Sequence, residues 1–416
     1  MDNFRRLKAA CYTTNICMSV VTNFSPLLFM TFRNMYGISF SLLGLLVLVN
    51  YVTQLSVDLI FSFFSHKFNI EKTVKFTPVL TAIGLVFYAV YPFIFPNSVY
   101  VGLIIGTVIF AASGGLGEVL ISPVIAAIPS DNPDREMSKL HSIYAWGVVI
   151  LIAIATVFLQ LFGFEKWQYL ALVLAVVPLV ACALFAGTKV PVATSNEKGN
   201  GAFDLIKDKR LWLCVIAIFL GGAAECTMAQ WSSGYLEKSL GISKVYGDIF
   251  GVAFFALALG LGRTLYAKFG KNLEKFLLLG AIGAFVCYLV AALSPLAIFG
   301  LIACGLTGFC VSMLWPGSLI VSGEYFPKGG VFIFAMMAAG GDLGASVGPQ
   351  LVGSITDAVI ANPSSVSLAN QLQITVESLG LKVGMLVGAL FPLIAIFIYA
   401  IILKLKKKQE KTESAK

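Results

Sequence analysis

Charged side chains are scarce in this sequence. They make up 12% of its 416 residues, against 58% hydrophobic ones, at a mean hydropathy of +0.89. Soluble domains carry about 25% charge, so a water-soluble globular protein is excluded. Histidine is almost missing, with two residues, His66 and His141. The eight cysteines are scattered through apolar stretches, with no CxxC pair and no Cys/His spacing. A structural metal centre and a disulfide framework therefore lack their residues, and the thiols read as small hydrophobes. No nucleophile and base stand out together, so the composition argues against an enzyme and no cofactor is expected.

What the sequence has is apolar length. A membrane-crossing helix needs about 20 mostly apolar residues. Twelve runs qualify: 9–34, 39–65, 73–94, 97–127, 138–162, 167–187, 210–237, 246–268, 274–294, 296–322, 330–358 and 378–404. The opening "MDNFRRLKAACYTTNICMSVV" has a basic start but no small-residue cleavage site, so it reads as a retained first span. Most of the 29 lysines and arginines fall in alternate connections, from Arg5, Arg6 and Lys8 to the tail "KLKKKQEKTESAK". The intervening connections hold only Arg33, Lys166, Lys238, Lys244 and Lys382. The positive-inside rule then predicts a multi-pass protein of the cytoplasmic membrane with both termini cytoplasmic. The net charge of +8 is topological, so the partner is the lipid bilayer and not nucleic acid.

A hydrophilic segment at 188–209, containing the flexible "TSNEKGNG", separates residues 1–187 from 210–404, six runs each, with a basic tail at 405–416. "HKFNIEK" after the second run echoes "AKFGKNLEK" after the eighth. The expected architecture is an all-α membrane protein, twelve transmembrane helices in two pseudo-symmetric six-helix bundles, the layout of a duplicated transporter.

Against that background each intramembrane charge needs a reason, because a carboxylate in hydrocarbon costs about 2.5–3.5 kcal/mol on insertion scales. The acids inside the runs are Asp58, Glu118, Glu225 and Asp342, with Glu324 near an end, and the one base is Arg263. Glu225, in "GGAAECTMAQW", stands near the midplane of the seventh run, and Asp342, in "AAGGDLGAS", at similar depth. Glu118 precedes Pro123, which withholds an N–H from the Val119 carbonyl. Carboxylate, freed carbonyl and Ser122 make a candidate proton or cation relay. Glu118, Glu225 and Asp342 are thus ion-coupling candidates, and Glu225 and Asp342 also face the solute. A plain helix lock or a capped kink is the competing reading of each acid. Trp231 and Tyr235 form an i,i+4 pair roughly 120° around the helix from Glu225 and Ser232. The two sets share one cavity only if the helix is broken near Gly221-Gly222 or Gly234. Asp58 and Arg263 read as a charge pair or dipole contact at the inward gate. His141 reads as a hydrogen-bonded structural residue, and Gly340, Gly341, Gly344 and Gly348 as close helix packing.

These features resemble the major facilitator superfamily along the whole chain, although the acid–base–glycine loop signal is eroded to His66-Lys67 with Asn69 and Ala267-Lys268 with Gly270. About a quarter of the chain resembles the fucose:proton symporter branch. "GEVLISPVIAAIP" is similar to that branch's fourth-span glutamate and following proline, at Glu118 and Pro123. "GAAECTMAQW" is similar to its seventh-span acid and tryptophan, at Glu225 and Trp231. "SMLWPGSLIVSGEYFPKGGVFIFAMMAAGGDLG" is similar to its tenth and eleventh spans, and brings in Trp315. The resemblance implies a secondary transporter moving a sugar-type solute by alternating access, with Glu225, Trp231, Gln230, Asn23, Tyr235, Asp342 and Trp315 at the solute and Glu118 carrying the coupling ion. One departure stands out. That branch has a first-span aspartate before a proline, where "VVTNFSPLL" offers Asn23, and an amide carries no proton in this pH range. Proton coupling, sodium coupling and no coupling stay open, as do export of amphipathic compounds and a non-transporting membrane role.

Overall fold

The computed structural model of the chain describes residues 2–64, 67–129, 133–191, 205–294, 296–326 and 330–414. His66, Lys328, most of the 188–209 segment and the last tail residues lie outside these, as do the side chains of Arg135 and His141. The helices are α1 (Asp2–Leu27), α2 (Phe29–Tyr36), α3 (Phe40–Phe64), α4 (Ile70–Ile94), α5 (Val99–Ala127), α6 (Pro133–Phe162), α7 (Trp167–Leu174) and α8 (Val176–Phe185). Then follow α9 (Lys209–Leu240), α10 (Lys244–Gly247), a π-helical turn at Asp248–Ala253, α11 (Phe254–Phe269), α12 (Leu273–Leu293), α13 (Ala297–Val311), α14 (Leu314–Tyr325), α15 (Gly330–Ala361), α16 (Ser364–Gln371), α17 (Val376–Gly388) and α18 (Leu390–Ser414). The described residues contain no strand.

Helical stretches occupy all twelve expected places, but fewer meet the length and composition of a span. Among the described residues nine do, or ten when α1 and α2, bent by 43°, count as one. The bend follows Pro26, which lacks the N–H a continuous helix needs. The breaks at Ala175, at Ser312–Met313 and at Ala389 each fall about one turn before a proline, Pro178, Pro316 and Pro392, for the same reason.

Two compact units emerge, Met1–Ile38 with Leu45–Glu197, and Ser39–Gly44 with Lys198–Lys416. In the first, Leu7, Cys11, Leu116, Leu120, Val124 and Phe185 pack in one apolar cluster drawn from α1, α5 and α8. An aromatic group closes its far end. Trp167 stands edge-on to Phe32 at 5.0 Å and to Tyr88 at 5.7 Å, and its indole N–H donates to the Tyr36 hydroxyl at 3.1 Å.

In the second unit α9 is the central helix. The Asp208 side chain caps its start by accepting from the Arg210 N–H at 2.8 Å. Gly241, at φ 66°, ends it in the left-handed conformation that glycine adopts without strain. α9 runs unbroken through Gly221-Gly222 and Gly234. α15 lies against it along Gly340, Gly344 and Gly348, whose missing side chains leave room for the α9 backbone at Val215, Phe219 and Ala223. The Asp357 carboxylate accepts from the N–H groups of Phe40 and Ser41 at 3.0 and 2.6 Å, at the exposed dipole end of α3.

Candidate functional site

Glu225 stands at the middle of the 32-residue α9, so its carboxylate is held at membrane depth. The structure pairs it with Arg263 of α11, whose Nη2 lies 3.3 and 3.4 Å from the two carboxylate oxygens. Arg263, read from the sequence as a gate residue, thus forms a charge pair with Glu225. The side chains are 43% and 16% exposed respectively, so this is an open charge pair and not a sealed lock.

The third member of the site is a backbone oxygen. Pro316 has no N–H to give the Ser312 carbonyl one turn back, and the helix breaks there between α13 and α14. Arg263 Nε takes that carbonyl at 3.0 Å. The same break sets Trp315. A Cβ on Gly222 would lie 2.9 Å from its ring, and one on Gly341 2.5 Å away, so the indole rests on two bare stretches of backbone from α9 and α15. Trp315 remains half-buried, with part of its surface open.

Other expected solute contacts take different places. Trp231 is fully buried and donates its indole N–H to the Pro349 carbonyl at 2.9 Å, clamping α9 to α15. Tyr235 is fully buried too, and its hydroxyl donates to the Ala291 carbonyl. In this structure both are packing residues, because a wide buried face of α9 takes them away from the exposed edge that carries Glu225. Gln230 is buried, with its side-chain oxygen lacking a hydrogen-bond partner among the described residues, and Asp342 is buried in α15. Asn23, half-buried in α1, donates to the Ser19 carbonyl at 3.0 Å and keeps its amide oxygen for another group.

The first unit brings together a second set. Asp58 and Glu118 hold carboxylate oxygens within 4.8 Å of each other. Asp58 is buried and one of its oxygens lacks a hydrogen-bond partner among the described residues, whereas Glu118 is exposed. α3 reaches α5 here because Gly114 and Gly115 leave space. A Cβ on Gly115 would meet Asp58 Oδ1 at 2.9 Å, and one on Gly114 the Gln54 amide oxygen at 2.9 Å. Gln54 donates to Asn50, and Asn50 to the Val21 carbonyl at 2.7 Å, so Asn50, Gln54 and Asp58 form a buried polar ladder one turn apart. Sequence reasoning passed over the two amides. Their i, i+4, i+8 spacing in an apolar run was the available signal. α5 continues through Pro123 without a break.

A further polar group lies at the far end of α9. Lys244 Nζ is 3.2 Å from Asp248 Oδ1, both side chains are at least nine-tenths buried, and Ser233 donates to the same aspartate. Asp248 opens the π-helical turn, a rare form that is frequent at functional sites.

A family model described as Major Facilitator Superfamily matches residues 11–349. No curated relative matches the sequence. Among solved structures, a nucleoside transporter shares 13% identity at a TM-score of 0.71, over 97% of this chain and 100% of its own. A D-xylose-proton symporter shares 17% identity at a TM-score of 0.69, over 94% and 97%. The fucose:proton symporter of E. coli, as a single-residue variant, shares 15% identity at a TM-score of 0.59, over 95% and 98%. Likeness at these identities is likeness of fold.

Proposed function

We propose, from the premise that the chain belongs to the Major Facilitator Superfamily and is a membrane transporter rather than an enzyme, that it carries a small polar solute, a sugar or sugar derivative, by alternating access coupled to protons. The observation that carries this reading is the half-open Glu225–Arg263 pair at the middle of a membrane helix. A charge pair at that depth offers donors and acceptors to hydroxyl groups, and the Trp315 indole, seated on Gly222 about one turn before Glu225, offers an apolar face to a ring. Solved proteins of like fold, described as D-xylose, fucose and nucleoside transporters, support a ring-bearing polar solute.

In this reading the coupling proton goes to the Asp58–Glu118 pair. Two carboxylates so close repel each other when both are ionised, and a proton or cation between them relieves that repulsion. One shared proton meets that need, which gives this chain a carboxyl pair although Asn23 replaces the first-span acid of the fucose branch. The basic loops support cytoplasmic positions for both termini.

The test is counterflow in proteoliposomes with labelled monosaccharides, under proton and sodium gradients imposed separately. Wild-type protein should exchange a sugar, and a proton gradient should accelerate uptake. Glu225→Gln should abolish exchange while the protein still inserts and folds, and Glu118→Gln should remove only the gradient-driven part. Unchanged exchange in Glu225→Gln sinks the role given to that residue. Acceleration by sodium alone replaces the proton.

A further inference from the structure

We infer that Arg263 is a docking point for an anionic group, so that the solute is an acid of sugar size and competes with Glu225 for one guanidinium. This rests on the transport reading above and narrows its substrate class.

The donor count at Arg263 leads there. A guanidinium has five N–H donors and keeps its charge at every physiological pH. Nε is used by the Ser312 carbonyl and Nη2 by Glu225, while Nη1 makes no hydrogen bond among the described residues. With 43% of the side chain exposed, those donors are accessible. Arg263 also stands off the apolar stripe of its own helix. The exposed leucines of α11, Leu257, Leu261 and Leu265, lie about 120–160° around the helix from Arg263 at 100° per residue.

The pair itself is loose. Charge-assisted N–H···O bonds close at about 2.7–2.9 Å, yet Nη2 stands 3.3 and 3.4 Å from the Glu225 oxygens. Arg263 is anchored through Nε to a carbonyl that Pro316 frees, not through its carboxylate partner. The guanidinium can therefore keep its place when Glu225 lets go. A neutral hydroxyl accepts one N–H and leaves the charge pair as it was. A carboxylate matches the planar fork with two parallel bonds, and only such a ligand has reason to displace Glu225. The Trp315 face, in the same unit one turn from Ser312, fits the apolar side of a ring that carries the acid.

The experiment compares acid and neutral partners on the full-length protein in nanodiscs, by calorimetric binding and by counterflow. The probes are D-glucuronate with D-glucose, D-galacturonate with D-galactose, and N-acetylneuraminate with N-acetylmannosamine. In at least one pair the acid should bind about tenfold or more tightly than its neutral partner, the difference a two-point charged contact supports. Glu225→Gln, which removes the competitor, should tighten calorimetric binding of the acid several-fold, whereas the neutral sugar, which loses an acceptor for its hydroxyls, should bind more weakly. Arg263→Gln should lose the acid, and Arg263→Lys should recover only part of it. If Arg263→Gln does not fold, the Glu225→Gln comparison still decides. Exchange of neutral sugars with the acids excluded overturns this inference and leaves the transport reading standing. Acid affinity that is unchanged or weaker in Glu225→Gln also overturns it, and exchange of neither class overturns both.

Discussion

Arg263 and Ser312 meet through a hydrogen bond that Pro316 makes available. The proline withholds the helical donor, and the guanidinium Nε occupies the vacant carbonyl at 3.0 Å. A helix defect thus serves as the anchor of an intramembrane charge, and the site's electrostatics are set by a residue with no charge of its own.

Replacing that proline should therefore weaken the site without emptying it. Pro316→Ala supplies an N–H to the Ser312 carbonyl, which then competes with Arg263 for the same oxygen. Losing one hydrogen bond to a charged group costs about 1.5–3 kcal/mol, or roughly a tenfold to hundredfold fall in solute affinity. Binding and counterflow of the variant measure this, with its melting temperature unchanged or raised. Full affinity would show that Arg263 does not depend on the break.

The two tryptophans should separate stability from transport. Trp231→Phe leaves the Pro349 carbonyl without its donor inside the bundle and should cost about 1–3 kcal/mol of stability, with KM little altered. Trp315→Phe should melt close to wild type and raise KM, because the half-buried ring keeps part of its surface open over its glycine seat. Melting curves and counterflow kinetics on both proteins check the pair. The reverse assignment of effects would restore Trp231 to the solute.

How much of this was open to sequence reasoning depended on the kind of signal. Apolar run lengths located the helices because the bilayer imposes a length on them. Glu225 stood out because its burial is costly. Arg263 stood out as the one intramembrane base, but its pairing with Glu225 did not, since the two are 38 residues apart and no spacing rule joins two separate helices. The rule applied to Pro123 applies equally to Pro316, so the Ser312 carbonyl was within reach. That Trp231 packs away while Trp315, named beside it, keeps an open edge was not, because which edge of a wide buried helix stays open is decided by tertiary packing. Asn50 and Gln54 were missed because amides carry no charge to flag them, although an unpaired buried amide is also costly.

Two glycines should answer oppositely to the same substitution. A Cβ on Gly344 would run into the Phe219 carbonyl, whereas one on Gly323 in α14 would meet nothing within 4 Å. Gly344→Ala should destabilise by about 1–3 kcal/mol or more, since backbone cannot yield as a side chain can. Gly323→Ala should gain about 0.5–1 kcal/mol from helix propensity. Thermal unfolding in detergent compares them, and equal responses would remove close packing as the reason for Gly344.

The start of α9 should respond to acid. The Arg210 guanidinium and N–H, hydrogen-bonded to Asp208, hold its carboxyl below the usual carboxylate range. A lowered folded value means that the cap's contribution is fully present above the ordinary pKa of about 3.9 and is lost as pH falls through the folded value. Amide exchange in the first turn of α9 should be slow at neutral pH and speed up beyond the intrinsic trend in strong acid. Asp208→Asn should show no such step. A wild-type profile without the step would mean that the pairing does not persist in solution.

The glycine seam between α9 and α15 has a mechanical consequence. At Gly340, Gly344 and Gly348 the backbone of α15 closes directly on the Val215, Phe219 and Ala223 backbone and on the Val215 and Thr227 side chains, so the two helices form one strut. A push on Glu225 is then delivered to the helix of Asp342 with no slack, and the give in this half must be found elsewhere. The joint at Ser312–Met313, where the helix already lacks a hydrogen bond, is the place where the strut's load can be turned into a bend.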